Sequence, residues 1–227
     1  MNPIAFLPDP LLQSQLWNIV SLSLSVSASE VLLGALMGLP LGALIAVSQF
    51  RGRASVVVVL NSLMGTPTVI IGVLIYLLLS RSGPLGSLGF LFTPKAMVVA
   101  QTCLVFPLIT AWTRQTAQDT LEPYQDLFKS LQLTTPQRAW LVIKDARLSY
   151  LIVIMAALGR ALSEVGAVMI VGGNIEGVTR VMTTTIALET SKGNLELALY
   201  LGAVLMSIIL LINGLGALCK RHMERQA

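Results

Sequence analysis

GRALSEVGAVMIVGGN, residues 159–174, is apolar enough and long enough to be a membrane helix, yet it carries Arg160 and Glu164 four residues apart. A charge at the centre of a bilayer costs about 2.5 to 3.5 kcal/mol on insertion scales, so two are kept only where partners or function compensate. Four-residue spacing puts both side chains on one side of a helix, where they can neutralise each other. The pair therefore reads either as a packing element or as part of a route through the membrane.

The rest of the chain supports a membrane setting. Hydrophobic residues make up 55% of the 227 and charged residues 11%. Mean hydropathy is +0.79, far too apolar for a soluble domain of this length. Five runs are long enough to cross the hydrocarbon layer as helices: 19–47, 54–79, 96–112, 148–171 and 195–219. They are too long for barrel strands and lack period-two alternation, so the fold class expected is an all-α membrane protein, a five-helix transmembrane bundle in one domain over 1–227. Met1 to Trp17 contains no Lys or Arg, and the first apolar run exceeds a signal-peptide core, so it is read as a retained span.

Lys and Arg set the orientation, because positive residues collect on the cytoplasmic side. With the N-terminus outside and the C-terminus inside, the cytoplasmic segments hold Arg51, Arg53, Arg114, Lys129, Arg138, Lys144, Arg147, Lys220, Arg221 and Arg225, against Arg81, Lys95, Arg180 and Lys192 outside. Trp17, Trp112 and Trp140 fall near the two interfaces. The net charge of +4 is then a topology signal, and no nucleic-acid partner is expected.

Gly34, Gly38 and Gly42 recur every fourth residue around Pro40, which suits close helix packing or a dimer seam. Glu30 on the same span is read as snorkelling or bonding a neighbour, and Pro67 as a kink in the second span. Residues 114–147 form the one long cytoplasmic segment. Leu121, Tyr124, Leu127, Phe128 and Leu131 give a short helix an apolar face, and a second helix starts with Thr135 as N-cap and Pro136 in first position. Such a helix lies in the headgroups or sits in a partner's groove. Met182 to Lys192 suggests a short outer helix whose hydroxyls at Thr183, Thr184 and Thr185 meet anion, binding protein or water.

Catalytic signatures are missing. There is no Walker A pattern, HExxH, GxSxG or Gly-rich dinucleotide loop; His222, the one histidine, has no ligand-type neighbour, and Cys103 and Cys219 suggest neither disulfide nor zinc. The chain is not expected to be an enzyme, and uphill transport needs an ion gradient or another subunit. A secondary transporter is the rival reading, with a membrane-embedded enzyme behind it.

Gly159, Arg160, Ala161, Glu164, Gly166, Ala167 and Asn174, following a two-helix cytoplasmic loop, carry a G/A-R-A-x-x-E-x-G-A pattern that resembles the permease subunits of bacterial ABC importers for oxyanions. The continuation NIEGVTRVMTTTIALETSKGNLELAL resembles the tungstate permeases more than those for molybdate, sulfate or thiosulfate. The family's EAA…G…I-x-L-P motif puts its acid on Asp126, its two Ala on Leu127 and Phe128, its Gly on Gln132, and I-x-L-P on Val142, Lys144 and Asp145; only the acid and the apolar Ile position are kept.

The resemblance implies a type I importer permease fold and a homodimer in the bacterial cytoplasmic (inner) membrane. It also implies two ABC subunits that bind ATP and Mg, a periplasmic or lipid-anchored solute-binding protein, and no cofactor in this chain. It assigns ATPase coupling to Tyr124, Asp126, Leu127, Phe128, Lys129, Leu131, Gln132, Thr135 and Arg138. Arg160, Glu164, Gly166 and Asn174 fall at the gate or translocation pathway.

Overall fold

A computed structural model describes residues 10–121, 124, 128 and 130–224, with no side-chain detail for 10–13 and 220–224. The described residues are helical, without a strand: α1 Pro10–Val47, α2 Arg53–Met64, α3 Thr68–Leu79, α4 Pro94–Leu121, α5 Thr135–Asp145, α6 Arg147–Leu162, α7 Gly166–Gly172, α8 Met182–Ser191 and α9 Leu195–Glu224, with a 3-10 turn at Gly86–Leu88. With no water in hydrocarbon to satisfy a free amide or carbonyl, chains this apolar close their backbone bonds within helices.

Three helices can each cross a membrane by length and composition, at Ser14–Val47, Pro94–Leu121 and Leu195–Cys219. The other two expected spans are broken. α2 and α3 meet at 95° and α6 and α7 at 60°, so the count reaches five only if each bent pair is one span. Pro67 explains the first break: it has no amide hydrogen, it disfavours helical backbone at Thr66, and it stands as N-cap of α3. The second break lies at residues 163–165, inside the stretch read as one helix. There Ser163 N–H donates to Arg160 O at 3.3 Å and Glu164 N–H to Ala161 O at 3.1 Å, the tightened bonds of a helix end.

The chain divides into two compact units. One comprises Met1–Glu30, Pro67–Gln101 and Gly159–Leu211. Here α3 lies on α7 with almost nothing between the backbones: a Cβ on Gly72 would stand 2.9 Å from Ala167 Cα, and one on Gly166 2.9 Å from Thr68 Oγ1. Phe92 N–H donates to Val171 O at 3.0 Å, tying the start of α4 to α7. Leu16 and Leu201 form a second apolar contact with Ile19, Ile186 and Leu197 around them.

The other unit comprises Val31–Thr66, Thr102–Leu158 and Ile212–Ala227. Gly34, Gly38 and Gly42 face α4, where added Cβ atoms would meet Val105, Ile109 and Thr113 in turn, so the glycine stripe packs within the chain. Both Pro40 and Pro107 lie inside continuous helices. Arg53 closes the end of α1 by donating to Ile45 O at 2.9 Å and Ala46 O at 3.3 Å, which satisfies carbonyls that a helix end otherwise leaves open.

Candidate functional site

The α6–α7 break is held by its own charged pair. Arg160 Nη1 stands 3.0 Å from Glu164 Oε2, with the arginine side chain 49% exposed and the glutamate side chain 6%. The other carboxylate oxygen, Oε1, accepts the Ala167 amide at 3.4 Å, which places a negative group at the start of α7. Thr183 on α8 donates its hydroxyl to the Glu164 carbonyl at 2.8 Å. One residue thus joins a cation, a helix start and a distant helix at the point where the span bends.

α7 ends in left-handed backbone at Gly173 (φ 71) and Asn174 (φ 50). Thr179 stitches the turn, donating to Gly172 O at 2.6 Å and accepting the Ile175 amide at 2.9 Å. A Cβ at residue 173 would lie 2.8 Å from the Phe92 ring, so only glycine fits there. Asn174 Oδ1 is buried without a hydrogen-bond partner among the described residues. The structure brings Arg160, Glu164 and Gly166 together at the bend and sets Asn174 at the other end of α7.

The outer helix read at Met182 to Lys192 is present as α8, but its threonines are spoken for. Thr183, Thr184 and Thr185 are buried. Thr184 and Thr185 donate to Val181 O at 3.1 and 2.7 Å. These hydroxyls close the helix start and the bend. At the far end Glu189 accepts from Lys192 at 2.8 Å and Asn194 at 3.0 Å. The Lys192 bond, ahead of the Asn194 bond and the nearby charges of Lys192 and Arg180, holds the Glu189 carboxyl below the usual carboxylate range.

In the second unit, Asp126, Leu127 and Lys129 of the expected coupling stretch lie outside the described residues. Phe128 is buried against Ala46, Ala117 and Val142 and stacks on Tyr124 at 6.0 Å between centroids. It anchors the segment inward, while Leu131 stands 57% exposed. The Tyr124 phenol is hydrogen-bonded to Asp145, which raises it above its ordinary value.

Gln132, which takes the place of the family motif's glycine, has φ 50. Leu133 N–H reaches back to Phe128 O at 3.3 Å, and Leu133 packs in the same cluster as Phe128. These are the hydrogen bond and apolar contact of a Schellman turn with its left-handed residue at 132.

Thr134, one residue before the expected position, is the N-cap of α5, so Thr135 and Pro136 are its first residues. The cap works through Gln137, whose Oε1 accepts both the Thr134 amide and its hydroxyl at 2.8 Å. Arg138 Nε donates to Leu133 O at 2.8 Å. A cavity of about 290 Å³ opens beside this segment, bordered by Gln49, Arg53, Gln118 and Arg138 over Leu121 and Phe128.

Sequence reasoning missed Gln101 and Thr179, and it gave the Thr183 hydroxyl an outward role where it bonds the Glu164 carbonyl. Gln101 is a lone carboxamide inside an apolar span, and that was the available signal. The threonines had none, since a hydroxyl bonding a carbonyl of another helix is invisible to local periodicity.

Apolar helices, two bent pairs and a charged bend describe a helical protein built to span a membrane. Residues 38–225 match the family described as binding-protein-dependent transport system inner membrane component. The chain belongs to that family. A tungstate uptake system permease protein of Peptoclostridium acidaminophilum is 41% identical over 199 residues, covering 88% of this chain and 87% of the relative. A probable anion ABC transporter permease protein of Haloferax volcanii is 40% identical over 205 residues, 88% of each chain. A tungstate uptake system permease protein of Campylobacter jejuni is 34% identical over 165 residues, 73% of this chain and 69% of the relative.

Proposed function

We propose that this chain is the transmembrane subunit of an ATP-driven oxyanion importer, with tungstate as its cargo. The observation that carries the reading is the likeness to the tungstate uptake permease at 41% identity over nearly the whole length of both chains. In this reading the N-terminus is outside, the bent pairs each make one of five spans, and two copies pack around a route on their two-fold axis. An ATP-binding subunit sits below each copy, and a solute-binding protein delivers the anion from outside.

Conformational work enters through residues 124–138. Phe128 and the Schellman turn at Gln132 fix the segment to its own unit, so a partner that grips the exposed Leu131 side moves the packed helices with it. Converting a 1:99 population of two states to 99:1 takes about 5.5 kcal/mol of differential interaction, and two bound ATP molecules are the source.

Arg160 and Glu164 act at the bend. A bare carboxylate on the route repels an oxyanion. Arg160 neutralises Glu164, and its half-exposed guanidinium remains the group that faces cargo. Asn174 and the left-handed turn at the end of α7 lie nearer the outer mouth.

Uptake of tungstate into vesicles holding this chain, its ATPase and the binding protein tests the proposal. ATP-dependent accumulation, outcompeting molybdate and sulfate, is expected. Glu164→Gln is expected to leave assembly intact while uncoupling ATP hydrolysis from uptake. Unaltered uptake and stimulation in that variant removes Glu164 from the mechanism.

A further inference from the structure

Ser23, Ser27 and Glu30 occupy successive turns on one side of α1. Ser23 is employed: its hydroxyl donates to Ile19 O at 2.7 Å and accepts the Met182 amide at 2.8 Å. Glu30 is not. It is 0% exposed, and neither carboxyl oxygen has a hydrogen-bond partner among the described residues. On α4, Gln101 is 3% exposed; its Nε2 donates to Ala161 O at 3.4 Å while its Oε1 also lacks a donor.

Ser23, Ser27, Gln101, Glu164 and Thr183 border one cavity of about 10 Å³, the room of a single water. The four-residue register in which Gly34 faces Val105 and Gly38 faces Ile109 sets Glu30 level with Gln101 one turn earlier. Glu30 also lies within electrostatic reach of Glu164.

Glu30 Oε1, Glu30 Oε2 and Gln101 Oε1 therefore each lack a donor among the described residues. Among the described residues, those bordering this cavity supply no positive charge. α4 presents Met97 and Gln101 here, and the buried sides of α3 and α9 are Gly72, Ile75 and Leu79, and Ala198, Leu201 and Leu205. α8 contributes Thr183, and its one acid, Glu189, is engaged at the far end by Lys192 and Asn194. Arg160 is committed to Glu164. With Glu30 ionised, the cluster of Arg160, Glu164 and Glu30 carries one uncompensated negative charge, and that of Glu30 is fully buried, an arrangement that costs several kcal/mol.

We propose that Glu30 and Gln101 form a buried proton-binding site, in which Glu30 carries one proton and donates it towards Gln101 Oε1. The site is neutral when loaded. Losing the proton sets a second negative charge beside Glu164, at the residue that holds the α6–α7 bend. The proposal does not depend on which anion the protein carries.

Infrared spectroscopy of the full-length chain in lipid, at neutral pH in sodium buffer and D2O, is the test. A protonated-carboxyl C=O band is expected in the unaltered chain, absent in Glu30→Gln and retained in Glu196→Gln. The Glu30→Asp chain, which keeps the acid, is expected to show the band at a shifted frequency. No such band in the unaltered chain overturns the proposal, because Glu30 is then ionised and held by sodium or another cation. A band that persists in Glu30→Gln overturns it as well.

Discussion

Alanine at Gly34, Gly38 and Gly42 turns the seam between α1 and α4 into a graded test. An added Cβ would stand 3.2 Å from Val105 Cγ1 at residue 34, 3.0 Å from Ile109 Cγ2 at residue 38 and 2.5 Å from Thr110 O at residue 42. The first neighbour is a side-chain methyl that gives by a few tenths of an ångström; the last is backbone, roughly 0.9 Å inside ordinary contact at 3.4 Å. Opening a packed seam by that much forfeits about a quarter to a half of the dispersion energy of each contact along it.

Gly42→Ala is therefore expected to cost about 1 to 3 kcal/mol, as overpacking usually does, even after the helix gains up to about 1 kcal/mol in propensity. Gly34→Ala is expected within about 0.5 kcal/mol of the unaltered protein, with Gly38→Ala between. Thermal unfolding in detergent, followed by far-ultraviolet circular dichroism, reads the series at roughly 2 to 4 °C per kcal/mol. Equal midpoints for all three variants, or a midpoint for Gly42→Ala above that of Gly34→Ala, would refute the packing argument.

Other variants probe the local devices separately. Gln132→Gly relieves a left-handed residue that costs about 1 kcal/mol, so it should raise the unfolding midpoint; a lowered midpoint would mean that the Gln132 side chain matters more than its backbone. Thr183→Val leaves the buried Glu164 carbonyl without its donor and should cost about 1 to 3 kcal/mol, with faster amide exchange at residues 163–167 as the readout. Gln137→Ala removes the acceptor of the Thr134 cap and should loosen the first turn of α5 at a cost of about 1 kcal/mol.

Glu189 adds a pH dependence. Its folded carboxyl titrates below its unfolded value, so its contribution is present above the ordinary carboxylate range and is lost as pH falls through the depressed value. Amide protection factors near Asn194, taken relative to intrinsic exchange at each pH, should fall on acidification in the unaltered chain and already be low in Glu189→Gln.

What the sequence disclosed was governed by local rules. Pro67 broke its span because the ring acts on its own turn. The four-residue spacing of Arg160 and Glu164 became an ion pair because helix geometry alone brings them together. The bend after Leu162 was illegible, since Ser163, Glu164 and Val165 include no strong breaker. That bend is secured from afar by Thr183 and by the close approach of Gly166 to Thr68. Glu30 was open between snorkelling and bonding a neighbour, and its complete burial, which local pattern could not show, excludes snorkelling. The left-handed turn at Gln132 was illegible, because the glycine that signals such a residue is absent.

The most direct test of the account is tungstate uptake by this chain reconstituted alone and together with its ATPase and binding protein. Accumulation that requires all three components and ATP is the predicted result. Uptake by the chain alone, driven by an ion gradient, would contradict it.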